Sequence, residues 1–174
     1  MTDRTSVYEE GPFSIRFAVE EDTPLILDFI KELASYEKMS DEVTADTETL
    51  RESLFNDHGA EVLIGSWHDR PVSFALFFHN FSTFLGKKGL YLEDLYVKPE
   101  MRGKGIGLAM MKTLAGIAKR RGCGRMEWWC LDWNEPSIEF YRRIGAKPMN
   151  DWTVFRITEN DFDILLGSGE RPRE

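Results

Sequence analysis

Residues 91–111 read YLEDLYVKPEMRGKGIGLAMM, and they form the most informative segment of this chain. An apolar strand pattern ends at Val97, and a helical pattern of apolar residues begins near Leu108. Between the two stands the run Arg102-Gly-Lys-Gly-Ile-Gly107. The sequence therefore predicts a strand, a glycine-rich turn and a helix in direct succession.

A glycine-rich turn at the start of a helix is suited to hold an anion. The first amides of a helix have no acceptor inside it, and the helix dipole adds partial positive charge there. Glycines let a diphosphate approach the main chain closely, and Arg102 and Lys104 add cationic donors. The spacing fits neither the dinucleotide fingerprint nor the P-loop. Taken alone, the turn could equally serve only to connect strand and helix.

The rest of the chain predicts a single mixed sheet with helices. The predicted strands are 13–19, 60–67, 72–81, 89–97, 125–131 and 152–157, and the predicted helices are 24–37, 47–56, 108–121, a short one between Pro136 and Gly145, and a last one from 159. Antiparallel strands come first and a β-α-β crossover follows, so the fold class is α+β with a mostly antiparallel central sheet. We expect one domain over residues 13–166, a flexible leader over 1–12 and a disordered tail over 167–174.

The composition excludes several classes of protein. A formal net charge of −8 disfavours a general nucleic-acid binder and fits attraction of a cationic ligand, although many proteins are acidic only to stay soluble. Two cysteines give no disulfide framework, and three isolated histidines give no metal signature. No apolar run approaches the ~20 residues of a membrane span, and no secretory signal precedes the first strand. We expect a cytoplasmic protein without metal, membrane or nucleic-acid partners.

Two blocks of this sequence resemble the GNAT N-acetyltransferases. The first is Val97 followed by Arg102-Gly-x-Gly-x-Gly, which resembles their acetyl-CoA motif, and the second is WNEPSIEFYRRIGA at 133–146. The resemblance implies the GNAT fold and acetyl-CoA as cosubstrate. The coenzyme-binding residues that it implies are Leu95, Tyr96, Val97, Arg102, Gly103, Lys104, Gly105, Ile106, Gly107, Leu108, Asn134, Pro136, Ser137 and Tyr141.

Within that family the chain is similar to the diamine acetyltransferases. LYLEDLYV and the segment KELASYEKMSDEV at 31–43 carry this likeness. It implies a homodimer that acetylates a polyamine, a diamine or thialysine. It also implies that Tyr36, Glu37, Glu93 and Asp94 hold the amine.

The same resemblance assigns the catalytic parts to Glu93 and Tyr141. Glu93 would hold a water chain that deprotonates the amine, and Tyr141 would protonate the departing thiolate. The N–H of Leu95 or Tyr96 would stabilise the oxyanion. Strand alternation sends Glu93 and Asp94 to opposite faces unless a bulge intervenes. Without the resemblance, Glu37 would be an ordinary solvated charge and Tyr141 a packing residue.

Cys123 and Cys130 have no paired base in the sequence, so direct transfer without an acetyl-cysteine is expected. Two alternatives remain at this stage. The acceptor could be another amine, such as a lysine-like amino acid, an aminoglycoside or a peptide N-terminus. The protein could also be a non-catalytic regulator that binds acyl-CoA.

Overall fold

The computed structural model describes residues 5–167, which contain a six-stranded sheet in the order β1 to β6. The strands are β1 Ser6–Glu10, β2 Phe13–Phe17, β3 Glu61–Trp67, β4 Arg70–Ser82, β5 Lys87–Val97 and β6 Met126–Trp128. Neighbouring strands are antiparallel except β5 and β6, which are parallel. The predicted α+β class, with a mostly antiparallel sheet and one β-α-β crossover, is confirmed.

The described residues also form five α-helices. They are α1 Thr23–Glu37, α2 Thr47–Arg51, α3 Ile106–Arg120, α4 Glu135–Arg143 and α5 Glu159–Leu165. Asp46 caps α2 by accepting a hydrogen bond from the Thr49 amide at 2.8 Å. The predicted helix 47–56 continues past α2 as a π-helical turn, Glu52–Asn56. None of the described helices is both long and apolar enough to cross a bilayer.

The expected flexible leader contains a strand. Ser6–Glu10 pairs antiparallel with β2, and Gly11 takes a left-handed φ of 57° in the turn between them. Polar composition suggested a leader, but an edge strand with one solvated face is polar as well. Residues 1–4 lie outside the described part of the chain, as does the predicted tail apart from Gly167.

The sheet carries a hydrophobic layer on each face. Under α1 lies a cluster in which Phe29 stacks on Phe74 with ring centres 5.3 Å apart, and Tyr96 belongs to the same cluster. On the other face α3 packs against β5. The fully buried residues of α3 are Met110, Leu114 and Ile117. These two layers fix β5 between α1 and α3.

The chain divides by its internal contacts into two compact units, one ending at Trp129 and the other beginning at Cys130. The single domain expected over 13–166 stays a prediction. The second unit holds α4 and α5. The predicted strand 152–157 is wrong, because this segment pairs with no strand in the described residues. Its alternating apolar side chains are exposed instead, Trp152 by 71% and Phe155 by 90%. Alternation alone cannot form a strand without a partner to pair with.

The predicted strand 125–131 is also shortened. Only Met126–Trp128 pairs with β5, and the last matched residues are Leu92 and Trp128. The next residue of β5, Glu93, lies in an irregularity of the β4–β5 pairing. A bulge bends its strand and disrupts the local ladder, which explains why β6 ends here.

Candidate active site

The irregularity in β5 decides which way its side chains point. Leu76 of β4 lies opposite Asp94, but the next residue, Phe77, lies opposite Leu92, so Glu93 is the extra residue of a β-bulge. Directly opposed residues share a face of the sheet. Leu92 therefore faces the α3 side with Phe77, whereas Asp94 faces the α1 side with Leu76. The bulge that the sequence left open is present.

Three carboxylates gather at the α1 end of this face. Burial, the charge of Glu93 and the charge of Glu37 together raise the pKa of Asp94 to about 7. Glu37 is the last residue of α1, and burial raises the pKa of its carboxyl as well. Within residues 5–167 none of the three forms a hydrogen bond or an ion pair. A cationic group would relieve their mutual repulsion.

Beyond the bulge, one edge of β5 is open. The β5–β6 ladder ends at Leu92, so residues from Glu93 onward pair only with β4 among the described strands. Lys98 donates its N–H to Val72 on the β4 side at 2.9 Å. In an antiparallel pair such bonding alternates by residue, so Tyr96 also points to β4, whereas Leu95 and Val97 point to the open edge. Of the two candidates for the oxyanion donor, Leu95 has its backbone N–H directed to the open edge, whereas the N–H of Tyr96 is directed to β4.

The glycine-rich turn enters α3 through left-handed backbone. Gly103 and Gly105 have φ values of 76° and 81°, and no heavy atom lies within 4 Å of where a Cβ would stand on either. The side chain of Ile106 is buried and anchors the helix, whereas Leu108 is 38% exposed. The first-turn amides of α3 have no intrahelical acceptor, so they are donors facing open space. This open, amide-lined cradle fits a diphosphate.

Both cations of the turn lie over aromatic rings. The guanidinium of Arg102 is 4.4 Å from the Tyr36 ring centre, and its Nε donates to the Val97 carbonyl at 3.1 Å. The ammonium of Lys104 is 5.2 Å from the Trp67 ring centre. Arg102 thus connects the turn to the end of α1, which sequence reasoning did not anticipate.

The remaining predicted residues lie in the second unit. Asn134 is buried and caps α4, because its Oδ1 accepts a hydrogen bond from the Ser137 amide at 3.4 Å. Pro136 stands in the first turn of α4. Tyr141 lies on the same helix, partly buried, with its ring 5.3 Å from that of Phe140. The short helix predicted between Pro136 and Gly145 is present as α4, and its cap Asn134 was expected only as a coenzyme contact.

The sequence did not indicate that the pKa of Asp94 is raised. Strand alternation treats Glu93 and Asp94 as equivalent neighbours on opposite faces, and a bulge leaves no mark in the residue pattern. A pair of adjacent acids in an otherwise apolar strand was the available signal, but it does not say which acid is enclosed.

Comparison with known proteins identifies the family. The model of the acetyltransferase (GNAT) family matches residues 26–146, which include the turn, the bulge and all of α4. The chain belongs to the GNAT acetyltransferase family. It is accordingly an acetyltransferase enzyme, which transfers the acetyl group of acetyl-CoA to an amine.

Three relatives support this membership. A thialysine N-epsilon-acetyltransferase from Bos taurus is 38% identical over 165 residues, which cover 88% of this chain and 96% of that protein. The human spermidine/spermine N(1)-acetyltransferase-like protein 1 is 35% identical over 162 residues, covering 86% of this chain and 23% of that longer protein. An integron cassette protein from the V. cholerae mobile metagenome has a similar structure, with a TM-score of 0.75 at 27% identity, covering 90% of this chain and 99% of that one.

Proposed function

We propose that this GNAT acetyltransferase acetylates a primary amine of a small cationic substrate, either a polyamine or diamine or an amino acid of the thialysine type. The observation that carries the proposal is the group Glu37, Glu93 and Asp94, which has no cationic partner among the described residues. Three clustered acids are suited to a substrate with more than one positive charge. The names of the Bos taurus and human relatives support the same class of substrate.

In this proposal the carboxylates hold the amine at the α1 end of the sheet. Glu37 and Tyr36 bind the far end of the substrate, and Glu93 and Asp94 bind the end that reacts. The partial burial of Glu37 and Asp94 supports these roles, because a charge pair is stronger where water is partly excluded. Neither an aminoglycoside nor a peptide N-terminus is needed to explain such an arrangement.

The coenzyme in this proposal binds at the turn and along the open edge of β5. Its diphosphate accepts hydrogen bonds from the amides of residues 103–108, with Arg102 and Lys104 at the flank and Asn134, Pro136 and Ser137 contributing from α4. When bound, acetyl-CoA supplies a thioester, whose carbonyl carbon forms the C–N bond as the C–S bond breaks. The Leu95 N–H donates to the carbonyl oxygen as negative charge develops there.

Tyr141 in this proposal donates a proton to the sulfur as the C–S bond breaks, and it regains a proton from the second N–H bond that the attacking nitrogen loses. A phenol pKa near 10 and a thiol pKa near 8.5 are ordinary values that lie close enough for transfer through a hydrogen bond. Direct transfer needs no acylated cysteine, and neither Cys123 nor Cys130 forms a disulfide within the described residues. Among the described residues no cluster of His, Cys, Asp and Glu could hold a metal, and the mechanism proposed here uses none.

We also propose that the protein acts in the cytoplasm as a homodimer. A contact between two copies is supported by a run of exposed apolar residues, because contiguous apolar surface is typical of protein–protein interfaces. The residues are Trp152, Val154, Phe155 and Ile157. Sedimentation of the purified chain would give the mass of a dimer, and a monomer at micromolar concentration would contradict this part.

A substrate panel tests the proposal. Spermidine, spermine, putrescine, thialysine and lysine would be incubated with acetyl-CoA, and the release of free thiol would be followed. We expect turnover with at least one polyamine or with thialysine, and none with a peptide N-terminus or an aminoglycoside. Turnover only with a peptide or an aminoglycoside would refute the small-amine assignment.

A further inference from the structure

We propose that Lys104 and Trp67 are positioning residues, which hold the glycine-rich turn in the shape that binds the coenzyme. This inference rests on the proposed function, since it requires a diphosphate at the amides of residues 103–108. The sequence suggested Lys104 as a cationic donor to the coenzyme. In the role inferred here its ammonium stays on the ring of Trp67, and Lys104 acts on the coenzyme through the backbone of the turn.

The backbone of the turn has few means of holding its own shape. Gly103 and Gly105 stand on either side of Lys104, and both have left-handed φ values, 76° and 81°. Glycine loses more conformational entropy on folding than any other residue. Neither glycine has a side chain to pack, so within residues 103–105 the side chain of Lys104 is the available anchor. An anchored turn keeps its amides directed at the diphosphate before the coenzyme arrives.

Two contacts hold the Lys104 side chain. Its ammonium is 5.2 Å from the centre of the Trp67 ring, and its Nζ donates to the Met101 sulfur at 3.5 Å. Met101 is buried just before the turn, so this second contact also joins Lys104 to fixed structure. Within residues 5–167 Lys104 forms no ion pair. The Trp67 ring is therefore the partner of its charge.

The contact draws Lys104 away from the open edge of β5. The sheet order places β4 between β5 and β3, and Trp67 is the last residue of β3. Adjacent strands lie about 4.8 Å apart, so β3 is about 10 Å from β5 on the side away from β6. The open edge, along which the coenzyme is proposed to run, faces the β6 side. The ammonium is thus directed toward β3 and not toward that edge.

Neighbouring residues keep the Trp67 ring in place. Phe13 lies directly opposite Trp67 in the β2–β3 pairing, and their ring centres are 6.5 Å apart. Phe13 is itself buried over Gly65, where an added Cβ would lie only 2.8 Å from the Phe13 ring. The residue after Trp67, His68, donates its N–H to the Pro12 carbonyl at 2.8 Å. Trp67 is thus fixed by the sheet, and its ring offers a stationary partner for a cation.

A direct bond to the diphosphate is the alternative role for Lys104. It would require the ammonium to leave Trp67, so the two roles predict different effects of removing that ring. If Trp67 positions the turn, its loss weakens binding of the coenzyme. If Trp67 only competes with the diphosphate for the ammonium, its loss frees the charge and strengthens binding. The sign of the change in Kd therefore distinguishes the two roles.

The test measures the Kd for coenzyme A by calorimetric titration of the full chain. Trp67→Leu and Lys104→Met should each raise the Kd about 2–5-fold, as expected for the loss of an exposed cation–π contact. The double variant should show no further rise, because both substitutions remove the same contact. Lys104→Arg keeps a cation over the ring and should restore the Kd of the wild type.

Phe77→Leu is the matched control. Phe77 lies beneath the guanidinium of Arg121, which follows the last residue of α3, with 5.8 Å between the guanidinium carbon and the ring centre. The substitution thus removes a similar contact from the other end of the helix, about 22 Å from the turn. It should lower the melting temperature without changing the Kd, because Phe77 is fully buried and remote from the turn.

Two results would overturn the inference: a lower or unchanged Kd in either single variant, or a double variant whose effect is the product of the two single effects. If Trp67→Leu does not fold, Lys104→Met still decides, because Lys104 is exposed. A direct charge contact would make its effect shrink at high ionic strength, whereas an effect on the shape of the turn would persist. A wild type that binds no coenzyme A would instead remove the proposed function, before any variant is made.

Discussion

The guanidinium carbon of Arg102 lies 4.4 Å from the centre of the Tyr36 ring. Arg102 was expected to bind the coenzyme and Tyr36 the amine, so residues assigned to two different ligands touch each other. Arg102 is also 5.9 Å from the Tyr96 ring, and its Nε is bonded to the Val97 carbonyl. The turn that leads into α3 is therefore fastened to the end of α1.

This contact predicts different effects for two substitutions of Tyr36. Tyr36→Leu removes the ring beneath the cation, and a cation–π contact of about 0.5–1 kcal/mol corresponds to a rise of roughly 2–5-fold in the KM for acetyl-CoA. Tyr36→Phe keeps the ring and should change only the KM for the amine, because it removes only the hydroxyl. Steady-state kinetics with each substrate varied in turn would separate the two effects. Equal KM values for acetyl-CoA in the Leu variant and the wild type would contradict the coupling.

The role proposed for Tyr141 predicts a loss of turnover without a loss of binding. Tyr141→Phe should lower kcat by roughly 10²-fold, because the sulfur loses its proton donor, while the KM for acetyl-CoA changes little. Tyr8→Phe, the same change on β1, serves as the matched control and should retain wild-type kcat. A kcat within a factor of about two of wild type in Tyr141→Phe would exclude the phenol as the general acid.

The left-handed backbone of Gly105 predicts that alanine weakens coenzyme binding. At a φ of 81° an L-residue costs about 1–2 kcal/mol, so Gly105→Ala should raise the Kd for coenzyme A roughly 5–30-fold if the turn must keep this shape to bind. Gly122 has a φ of 71° and equally open surroundings, but it follows the end of α3. Gly122→Ala should therefore destabilise the fold to a similar degree without changing the Kd. Calorimetric titration and thermal unfolding of both variants provide the comparison.

The raised pKa of Asp94 predicts how stability depends on pH. The folded state binds this proton more tightly than the unfolded state, in which the pKa is near 3.9. The free energy of unfolding therefore receives a contribution that falls as pH rises from about 4 to about 7 and is constant above that range. Asp94→Asn removes this dependence, so it should be more stable than the wild type by about 1–3 kcal/mol near pH 8 and equal to it near pH 4.

Urea unfolding at both pH values measures that difference. Asp41→Asn, at an exposed aspartate, is the control and should behave like the wild type at each pH. A variant Asp94→Asn that is less stable than the wild type near pH 8 would mean that the carboxylate has a stabilising partner.

Much of the fold could be predicted from the sequence because its signals are local. The glycine-rich turn and the apolar spacing of α3 each act within a few residues, and both appear where expected. The segment 152–157 and the strand in the leader were mispredicted because a strand requires a partner. No local pattern says whether one is available.

The candidate site was predictable to the extent that it depends on motifs. The family motif located the turn at Arg102 and the acids at Glu93 and Asp94. The bulge at Glu93, the open edge at Leu95 and the contact of Arg102 with Tyr36 arise from pairing between strands and from packing against α1. Such relations join residues that lie far apart in the chain, so reading along the sequence cannot reveal them.

The glycine-rich turn also determines whether its conformational entropy is lost during folding or during binding of the coenzyme. Gly103 and Gly105 adopt their shape as the polypeptide folds, so a diphosphate meets a receptor that is already formed. Association then does not have to order a flexible loop, and substitutions that leave the fold and the contacts Tyr36–Arg102 and Trp67–Lys104 intact should not change the intrinsic affinity of this cradle. A protein built in this way can change its acceptor by altering Glu37 and the acids of β5, while Tyr36 and the turn keep the same donor.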